Sequence, residues 1–599
     1  FSDEMVELLL FALEDLRQLL QQQGSNLMIK FGVAENVIIE LAKEVNPTHV
    51  FIEQEVEHEL CMMLENVNKS LSSCLLGLTP EVITWKTPFY DNLVDILPWS
   101  FEDFQKMKLP IASPVVELPR LPASGVDFPW GDLPSLAELK QYTSNDVVQE
   151  EWSSITRLSA MDQLRKKRRP ISESRELLED EQPRKKEKRR KPQESAFITS
   201  QEKSVGGGAT RVLNAFAAYL RYLEGTARDE WQEVHEKLRV TEKRQGASFD
   251  ALFRPALLLG IISKRQVYFE AIKYERERNG GFLSPFGYST TTVAAAIDSV
   301  SSMEWYWLLA LKSLRYKNKS SSIRIYQWKN YIVQYTVADR HKGPNFLLVH
   351  GFGAFLEHYR DNIHPLAEGG NNVWAITLLG YGKSEKPNMV YTELVWAELL
   401  RDFIVEVIQE PVHLVGNSIG GYVVAIVACL WPTLAKSVVL VNSSGNAVPE
   451  YNPAFSESKD RRISAEAWFG ARFLQTYFRF NIKNTVKSFY PKRSDRADDW
   501  LVNEMTRSLN DPGAIFILES IFSLDLSIPL NYLVKNIEKT VLIIQGMRDP
   551  LLDSQAKLTM LKEHCKGITV KEIDAGHCPH DELPSDVNLM IMEWVESLE

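Results

Sequence analysis

Residues 413–430, HLVGNSIGGYVVAIVACL, decide the fold of the C-terminal half of this chain. The apolar run 412–415 predicts a short buried strand, and the apolar run after the glycines predicts a helix. Between them lies a Gly-x-Ser-x-Gly turn, in which Gly416 and Gly420 let the strand and the helix approach closely. Such a turn is a nucleophile elbow that holds Ser418 above the strand end. The alternative is a plain glycine-rich turn before a buried helix.

An acid and a base follow Ser418 in the order that a serine nucleophile requires. Residues 540–545 (TVLIIQ) and 569–573 (TVKEI) predict strands, and Asp549 and His577 follow them. Serine is a weak nucleophile until a base takes its proton, and the base needs a carboxylate to orient it. We therefore predict Ser418, Asp549 and His577 as a catalytic triad.

Nearby polar residues leave alternatives to these assignments. Asp553 is an alternative acid, and His580 is an alternative base. We expect His350 to be structural and Asp574 to be a turn residue. A lone histidine or aspartate does not define a site, whereas three residues in order at strand ends do.

A second loop supplies candidate donors for an oxyanion hole. Residues 346–349 predict a strand that leads into His-Gly-Phe-Gly at 350–353. A loop of this kind offers a backbone N–H, and the residue after the nucleophile offers another. We predict that the N–H groups of Phe352 and Ile419 form the oxyanion hole.

Several strings after residue 323 extend the motif. They are IRIYQWKNYIVQYTVA, LLVHGFGAFLEHYRDNI, LLGYGKSEKP, LVNSSG, LIIQGMRDP and DAGHCPHDELP. With the elbow, they make residues 323–599 resemble α/β-hydrolases of the plant chloroplast type that includes pheophytinase and chlorophyll dephytylase. The resemblance implies hydrolysis of a carboxylic ester by Ser418, Asp549 and His577, without a cofactor, in the chloroplast. The serine at the elbow argues against the dehalogenase and epoxide hydrolase relatives, which use a carboxylate there.

An aromatic-rich segment at about 449–535 predicts a helical cap over the site. Its aromatic residues either line an apolar substrate pocket or pack between helices. They are Trp468, Phe469, Phe473, Tyr477, Phe478, Phe480, Phe489 and Tyr490.

The N-terminal half predicts alternating helices and strands. Helices are predicted at 2–20, 33–45 and 56–68, with strands at 26–31 and 48–52. Such alternation favours a parallel α/β sheet. We predict an α/β domain over 1–140 and helices over 205–315.

This half resembles the DNA photolyase/cryptochrome family, so the chain resembles a plant photolyase–hydrolase fusion. The matching strings are FALEDLRQLLQQQGSNLMIKFG, THVFIEQEVE, FPWGDLPSLAEL, GGGATRVLNAFAAYL, SFDALFRPALLLGIISKRQVYFEA and MEWYWLLA. The first strand of the family's antenna domain and the later flavin-domain segments have no counterpart. Ser248 is a possible remnant of a phosphate contact, and Trp305 and Trp307 are expected to pack in a core. We expect a scaffold with little or no FAD and no DNA repair.

Residues 141–204 predict a disordered basic linker. Basic clusters at 165–169 and 184–191 are separated by acidic and polar residues with little apolar content. Such a composition does not bury enough surface to fold. A nuclear-import signal or a nucleic-acid contact is the alternative.

Composition limits the remaining choices. At 599 residues we expect more than one domain, and a net charge of −11 argues against a general DNA-binding surface. Five scattered cysteines indicate a reducing compartment and no zinc site. We expect no membrane-spanning helix and find no strong signal for an oligomer. The chain begins with Phe1 in mid-pattern, so we expect a preceding piece.

The sequence therefore predicts a serine hydrolase for a hydrophobic, phytyl-type ester. One alternative is an FAD-binding light sensor or DNA-repair protein, based on the N-terminal half. Another is a non-catalytic α/β-hydrolase that binds a small molecule. A nuclear location is the alternative to the chloroplast.

Overall fold

The computed structural model describes residues 3–73, 80–85, 89–90, 95–114, 129–143, 152, 155, 159–168, 207–222, 232–236, 238, 246–284, 287–315, 323–338, 343–451, 465–522, 524, 526 and 528–598. The chain divides into two compact units. The N-terminal unit comprises 1–97, 107–147 and 189–312, and the C-terminal unit comprises 98–106, 148–188 and 313–599.

The elements before residue 316 are mostly helices. Two short strands, β1 (His49–Glu53) and β2 (Glu81–Trp85), pair in parallel. The helices are α1 (Asp3–Gln22), α2 (Ala34–Val45), α3 (His58–Ser73), α4 (Phe101–Lys106), α5 (Leu136–Thr143), α6 (Ala160–Arg168), α7 (Ala209–Arg221), α8 (Ala247–Leu258), α9 (Lys264–Arg278) and α10 (Thr291–Arg315). By residue range, α4 and α6 belong to the C-terminal unit.

The prediction of a strand at 26–31 is wrong. These residues form no strand, and the backbone N–H of Ile29 donates a single hydrogen bond to Trp130 O at 2.7 Å. A parallel strand needs a run of evenly spaced hydrogen bonds to its neighbour. The strand β1 forms such a run of hydrogen bonds with β2, a strand that the sequence analysis missed.

The helices α7 to α10 of the N-terminal unit surround an aromatic core. Phe216 packs edge-on against Phe249 at 6.0 Å and Phe253 at 5.5 Å between ring centroids. Trp305 is fully buried, as expected for a core residue. Ser248 Oγ lies 2.9 Å from His235 Nε2, so this hydroxyl is held inside the unit.

Part of the predicted disordered linker is a helix. Residues 160–168, which include most of the first basic cluster, form α6 in the C-terminal unit. Ala160 and Leu164 are buried, and the N–H of Ala160 donates to Glu398 Oε1 at 2.9 Å. Apolar residues at helical spacing (160, 161 and 164) give this piece a face to bury. The second cluster, 184–191, lies outside the described residues.

The C-terminal unit is built on an eight-stranded sheet with the order β10-β9-β8-β7-β5-β6-β4-β3. The strand β4 pairs in antiparallel fashion with β3 and with β6. The remaining neighbours, β6-β5, β5-β7, β7-β8, β8-β9 and β9-β10, pair in parallel. The strands are β3 (Ile323–Trp328), β4 (Tyr331–Ala338), β5 (Asn345–Val349), β6 (Asn372–Ile376), β7 (Val412–Asn417), β8 (Ala435–Val441), β9 (Val541–Gly546) and β10 (Ile568–Ile573). Parallel strands bring their carboxyl ends to one edge, so the loops after β5, β7, β8, β9 and β10 meet there.

Helices cover this sheet because its central strands are apolar on both faces. Every residue of β5, β7 and β9 is buried. The helices are α11 (Ile363–Glu368), α12 (Glu393–Phe403), α13 (Ile419–Leu430), α14 (Ala465–Ser488), α15 (Asp499–Asn510), α16 (Ala514–Ile521), α17 (Leu530–Lys535), α18 (Ser554–His564), α19 (Pro579–Glu582) and α20 (Pro584–Glu596).

The segment predicted as a cap, about 449–535, lies between β8 and β9 and contains α14, α15, α16 and α17. Residues 452–464, 523, 525 and 527 of it lie outside the described ones. A buried ion cluster joins the cap to the loop after β6. Lys386 Nζ lies 3.2 Å from Asp511 Oδ2, which also receives a hydrogen bond from Arg507 at 2.7 Å. Because removing one partner would leave a buried charge unpaired, this cluster fixes the cap on the sheet domain.

Candidate active site

The turn after β7 has the strained backbone of a nucleophile elbow. Ser418 has φ +54° and ψ −121°, a conformation that L-residues rarely adopt. A Cβ at Gly416 would lie 2.5 Å from the backbone of Gly420, and one at Gly420 would lie 2.4 Å from the carbonyl oxygen of Val349. Only glycine fits at these two positions, as expected where a strand and a helix approach this closely.

The three predicted triad residues are brought together at the carboxyl edge of the sheet. Ser418 Oγ lies 3.0 Å from His577 Nε2, and His577 Nδ1 lies 2.8 Å from Asp549 Oδ2. All three residues are buried. The arrangement allows the imidazole to take the serine proton while the carboxylate holds the ring in the required tautomer.

The alternative acid and base are occupied elsewhere. Asp553 caps α18, because its carboxylate accepts the N–H of Ala556 at 3.0 Å. The Nε2 atom of His580 lies 3.2 Å from His358 Nδ1 in a buried pair. Asp574 is exposed and forms ion pairs with Arg548 and Lys492, which suits the turn role expected for it.

The carboxylate of Asp549 is stabilised in its charged form. Burial alone would raise its pKa, but the hydrogen bond and the charge of His577 outweigh burial, with further help from the Leu551 N–H and the Asn442 amide. The pKa of Asp549 therefore lies below its usual value. Asn442 donates to Asp549 Oδ2 at 2.9 Å and accepts the N–H of Gly546 at 2.6 Å.

Asn442 and Ser444 are site residues that the sequence analysis missed. Ser444 Oγ lies 3.3 Å from Ser418 Oγ, and its N–H donates to Ser418 O at 2.8 Å. Both residues lie in the LVNSSG string, directly after β8. Their place at the end of a strand beside the elbow was the available signal, because neighbouring parallel strands end at the same edge.

His350 has the predicted structural role. Its Nδ1 lies 2.7 Å from Gly351 O, and its Nε2 accepts the N–H of Leu378 at 3.0 Å. A ring with one donor and one acceptor nitrogen is neutral. Burial lowers the pKa of His350 to about 3, which keeps the ring neutral.

The two predicted oxyanion-hole residues flank the elbow. Ile419 is the first residue of α13, directly after Ser418. Phe352 lies in the loop after β5, and its ring packs edge-on against Tyr381 at 5.9 Å. A Cβ on Gly351 would lie 3.1 Å from Ser418 Cβ, so this loop lies directly against the nucleophile. The role of the two N–H groups stays a prediction.

The predicted cap contacts the His577 loop through Phe489 and Tyr490. The N–H of His577 donates to Phe489 O at 3.0 Å, and the two rings lie 5.5 Å apart. Tyr490 is buried; its hydroxyl donates to Asp581 at 2.9 Å and lies 2.7 Å from His358 Nε2. The His577 loop is therefore held by the segment after α14 as well as by the sheet.

The remaining aromatics of α14 are mostly exposed, and their pocket-lining role stays a prediction. Phe478 is half-buried. Five other side chains of α14 are exposed to solvent. They are Trp468, Phe469, Phe473, Tyr477 and Phe480.

Among the described residues, no group of His, Cys, Asp and Glu is arranged to hold a metal ion. None of the described helices combines the length and the apolar composition that crossing a bilayer requires.

Comparison with known families agrees with this geometry. The profile described as the Alpha/beta hydrolase family matches residues 346–588, and the profile described as DNA photolyase matches residues 1–79. The two profiles match separate parts of the chain, one in each half.

Individual relatives follow the same division. The chain is 27% identical over 327 residues to pheophytinase, chloroplastic, of Arabidopsis thaliana, covering 46% of this chain and 66% of that protein. It is 24% identical over 267 residues to pyrrolizixenacetamide deacetylase of Xenorhabdus hominickii, covering 43% and 92%. It is 28% identical over 174 residues to the blue-light photoreceptor PHR2 of Arabidopsis thaliana, covering 26% and 38%. The chain thus spans just under two thirds of the pheophytinase and less of the photoreceptor.

Proposed function

We propose that the C-terminal domain hydrolyses a carboxylic ester through Ser418, His577 and Asp549. The observation that carries the proposal is the hydrogen-bond chain of 3.0 and 2.8 Å through the two nitrogens of His577. The lowered pKa of Asp549 supports it, since an ionised acid is needed to stabilise the imidazolium that forms.

The steps follow from the positions of these groups. His577 Nε2 takes the Ser418 proton as Oγ attacks the ester carbonyl, and the N–H groups of Phe352 and Ile419 stabilise the oxyanion. His577 then gives the proton to the leaving alcohol, which leaves an acyl-enzyme on Ser418. Water, deprotonated by His577, attacks the acyl group, releasing the acid and restoring the serine. This scheme needs no cofactor.

We propose a substrate with a hydrophobic group, of the phytyl type. Two features support this choice. The Phe489 ring lies beside His577. The ring of Phe352, in the loop after β5, is partly exposed to solvent. The pheophytinase relative belongs to the same proposal, as does a chloroplast location.

We propose that the photolyase-like part is a scaffold that neither binds FAD nor repairs DNA. In this unit the hydroxyl of Ser248 is held by His235. Trp305 is buried, and Trp307 lies against Lys264, with Nζ 5.6 Å from its ring centre. These contacts give the residues structural roles.

The test is a matched ester series with one acid and methyl, octyl, or phytyl alcohols. We expect kcat/KM to rise with the apolar surface of the alcohol. Ser418→Ala should lower kcat by about 10⁴-fold or more without changing thermal unfolding. A series without any turnover, or turnover that survives in Ser418→Ala, would contradict the proposal.

A further inference from the structure

The cap helix α14 carries a row of exposed aromatic side chains. Phe469, Phe473, Tyr477 and Phe480 follow a spacing of four, four and three residues, which places them on one helix face. Their exposed fractions are 71%, 75%, 44% and 82%. We call these four residues the aromatic stripe. An apolar patch of this kind on a soluble domain marks an interaction surface.

The aromatic stripe is not the packing face of this helix. Ala467, Ala471 and Val486 are buried and lie on a different side of α14. Gly470 is packed against the Phe522 ring, where an added Cβ would lie 2.9 Å from the ring edge. The helix is therefore already fixed on its domain, and the stripe is left facing solvent.

A cationic row runs along one edge of the aromatic stripe. Arg472, Arg479 and Lys483 are spaced seven and four residues apart, and Lys487 extends the row. Glu466 is the helix's one acidic residue, so its net charge is +3 in a chain of −11.

These cations have local partners but remain accessible. Arg472 pairs with Glu519 and Lys483 with Asp499, yet the two cation side chains are 40% and 54% exposed. Arg479 donates to the amide oxygen of Asn510. The Lys483–Asp499 pair is exposed on both sides, and such a surface pair is weak and readily exchanged for another anion. Glu519, in contrast, is buried and keeps Arg472 in place.

We propose that the aromatic stripe docks this domain on a lipid surface that carries anionic headgroups. Aromatic rings on one face with Lys and Arg beside them are the composition that lies in the interfacial plane of a bilayer. A second copy of the chain is the weaker fit, because stripe-to-stripe contact would bring two +3 helices together.

Docking has a consequence for the site. The helix that carries the aromatic stripe leads into Phe489, whose carbonyl oxygen accepts the N–H of His577. When α14 is bound to lipid, the loop that carries His577 therefore lies close to the lipid in which a hydrophobic ester dissolves. The docking itself goes beyond the proposed function, because lipid binding does not require turnover.

The test uses the full chain carrying Ser418→Ala, so that binding is measured without hydrolysis. The protein is floated with vesicles of equal parts phosphatidylcholine and phosphatidylglycerol, and with vesicles of phosphatidylcholine alone. We expect co-flotation with the mixed vesicles. F473S/F480S should lower the partition coefficient by about tenfold or more, because two rings lose their burial.

Two further variants separate the contributions. F282S is the matched control, since Phe282 is 78% exposed but lies in the N-terminal unit, and it should bind as before. R479Q/K483Q should weaken binding to the mixed vesicles by several-fold and leave binding to phosphatidylcholine almost unchanged. Matching thermal unfolding curves show that each variant is folded.

Three outcomes overturn the proposal. One is failure of the parent protein to float with the mixed vesicles. Another is undiminished flotation of F473S/F480S. The third is a dimer in light scattering that F473S/F480S abolishes while vesicles bind neither protein, which would assign the stripe to a second copy.

Discussion

The two units of this protein differ in what their buried polar groups do. In the N-terminal unit, Glu304 pairs with Lys264 at 2.6 Å and accepts the N–H of Phe89 at 2.5 Å, contacts that join helices and loops. In the C-terminal unit, buried polar groups converge on one strained serine at the sheet edge. A packed core is common to both units, whereas a set of polar groups around one serine hydroxyl lies where parallel strands end together.

The largest effect is expected from the triad acid. Asp549→Asn should lower kcat by about 10³-fold or more, because the amide no longer holds His577 in the required tautomer. The matched control is Asp553→Asn, which changes the helix-capping residue nearby. The control should keep its turnover and lose at most about 1 kcal/mol of stability. Equal losses of kcat in the two variants would contradict the assignment.

The next effect tests whether the two cores are independent. Phe216→Ala should destabilise the N-terminal unit by about 3–5 kcal/mol, because the ring packs against Phe249 and Phe253. Ester turnover should stay within about twofold of the parent, since the triad lies in the other unit. Urea unfolding followed by intrinsic fluorescence, with turnover measured in parallel, checks both parts. If Phe216→Ala loses turnover at urea concentrations at which the parent is active, the two cores are not independent.

A graded loss of stability should appear on acidification of the C-terminal unit. Burial lowers the pKa of His350 to about 3, and that of His358 and His413 to about 4. In the unfolded state these histidines bind a proton at about pH 6.5. The stability that their neutral folded forms contribute is therefore fully present above that pH and is lost as pH falls toward 4. Each histidine contributes up to about 1.4 kcal/mol per pH unit.

Chemical unfolding at pH 7.5, 6.0 and 5.0 measures this loss. His413→Gln should make the dependence on pH shallower, because His413 is one of the groups that stay neutral when folded. An unfolding midpoint that does not change between pH 7.5 and 5.0 would rule out the proposed protonation states.

The smallest effect is expected from flavin. Added FAD should leave both the visible spectrum and the unfolding temperature of the full chain unchanged. A yellow protein, or stabilisation that grows with FAD concentration as mass action requires, would show that the N-terminal unit is more than a scaffold.

The sequence predicted that Ser418, Asp549 and His577 lie together because their signals are local. The elbow glycines and Ser418 follow from close backbone approach, and Asp549 and His577 follow from their places just after strands. Strand ends in a parallel sheet share one edge, so chain order alone placed these residues together. Asn442 and Ser444 follow the same rule, but an amide and a hydroxyl in a serine-rich loop carry no distinctive pattern.

The features that the sequence did not predict depend on tertiary partners. Residues 26–31 have the composition of a strand, yet the hydrogen-bond partner of β1 is β2. Residues 160–168 look like a charged linker, yet two buried apolar side chains hold them as a helix. The cap aromatics share one composition, and only their tertiary contacts separate the buried Tyr490, which follows α14, from the exposed Phe480 on α14.

Labelling with a fluorophosphonate probe tests the central claim most directly, because the probe reacts only with a serine that is activated as a nucleophile. The full chain and Ser418→Ala should be compared at equal concentration and with matching unfolding curves. The account predicts rapid labelling of the parent chain at Ser418 and none of the variant. A folded parent chain that stays unlabelled, or a variant that labels equally, would contradict it.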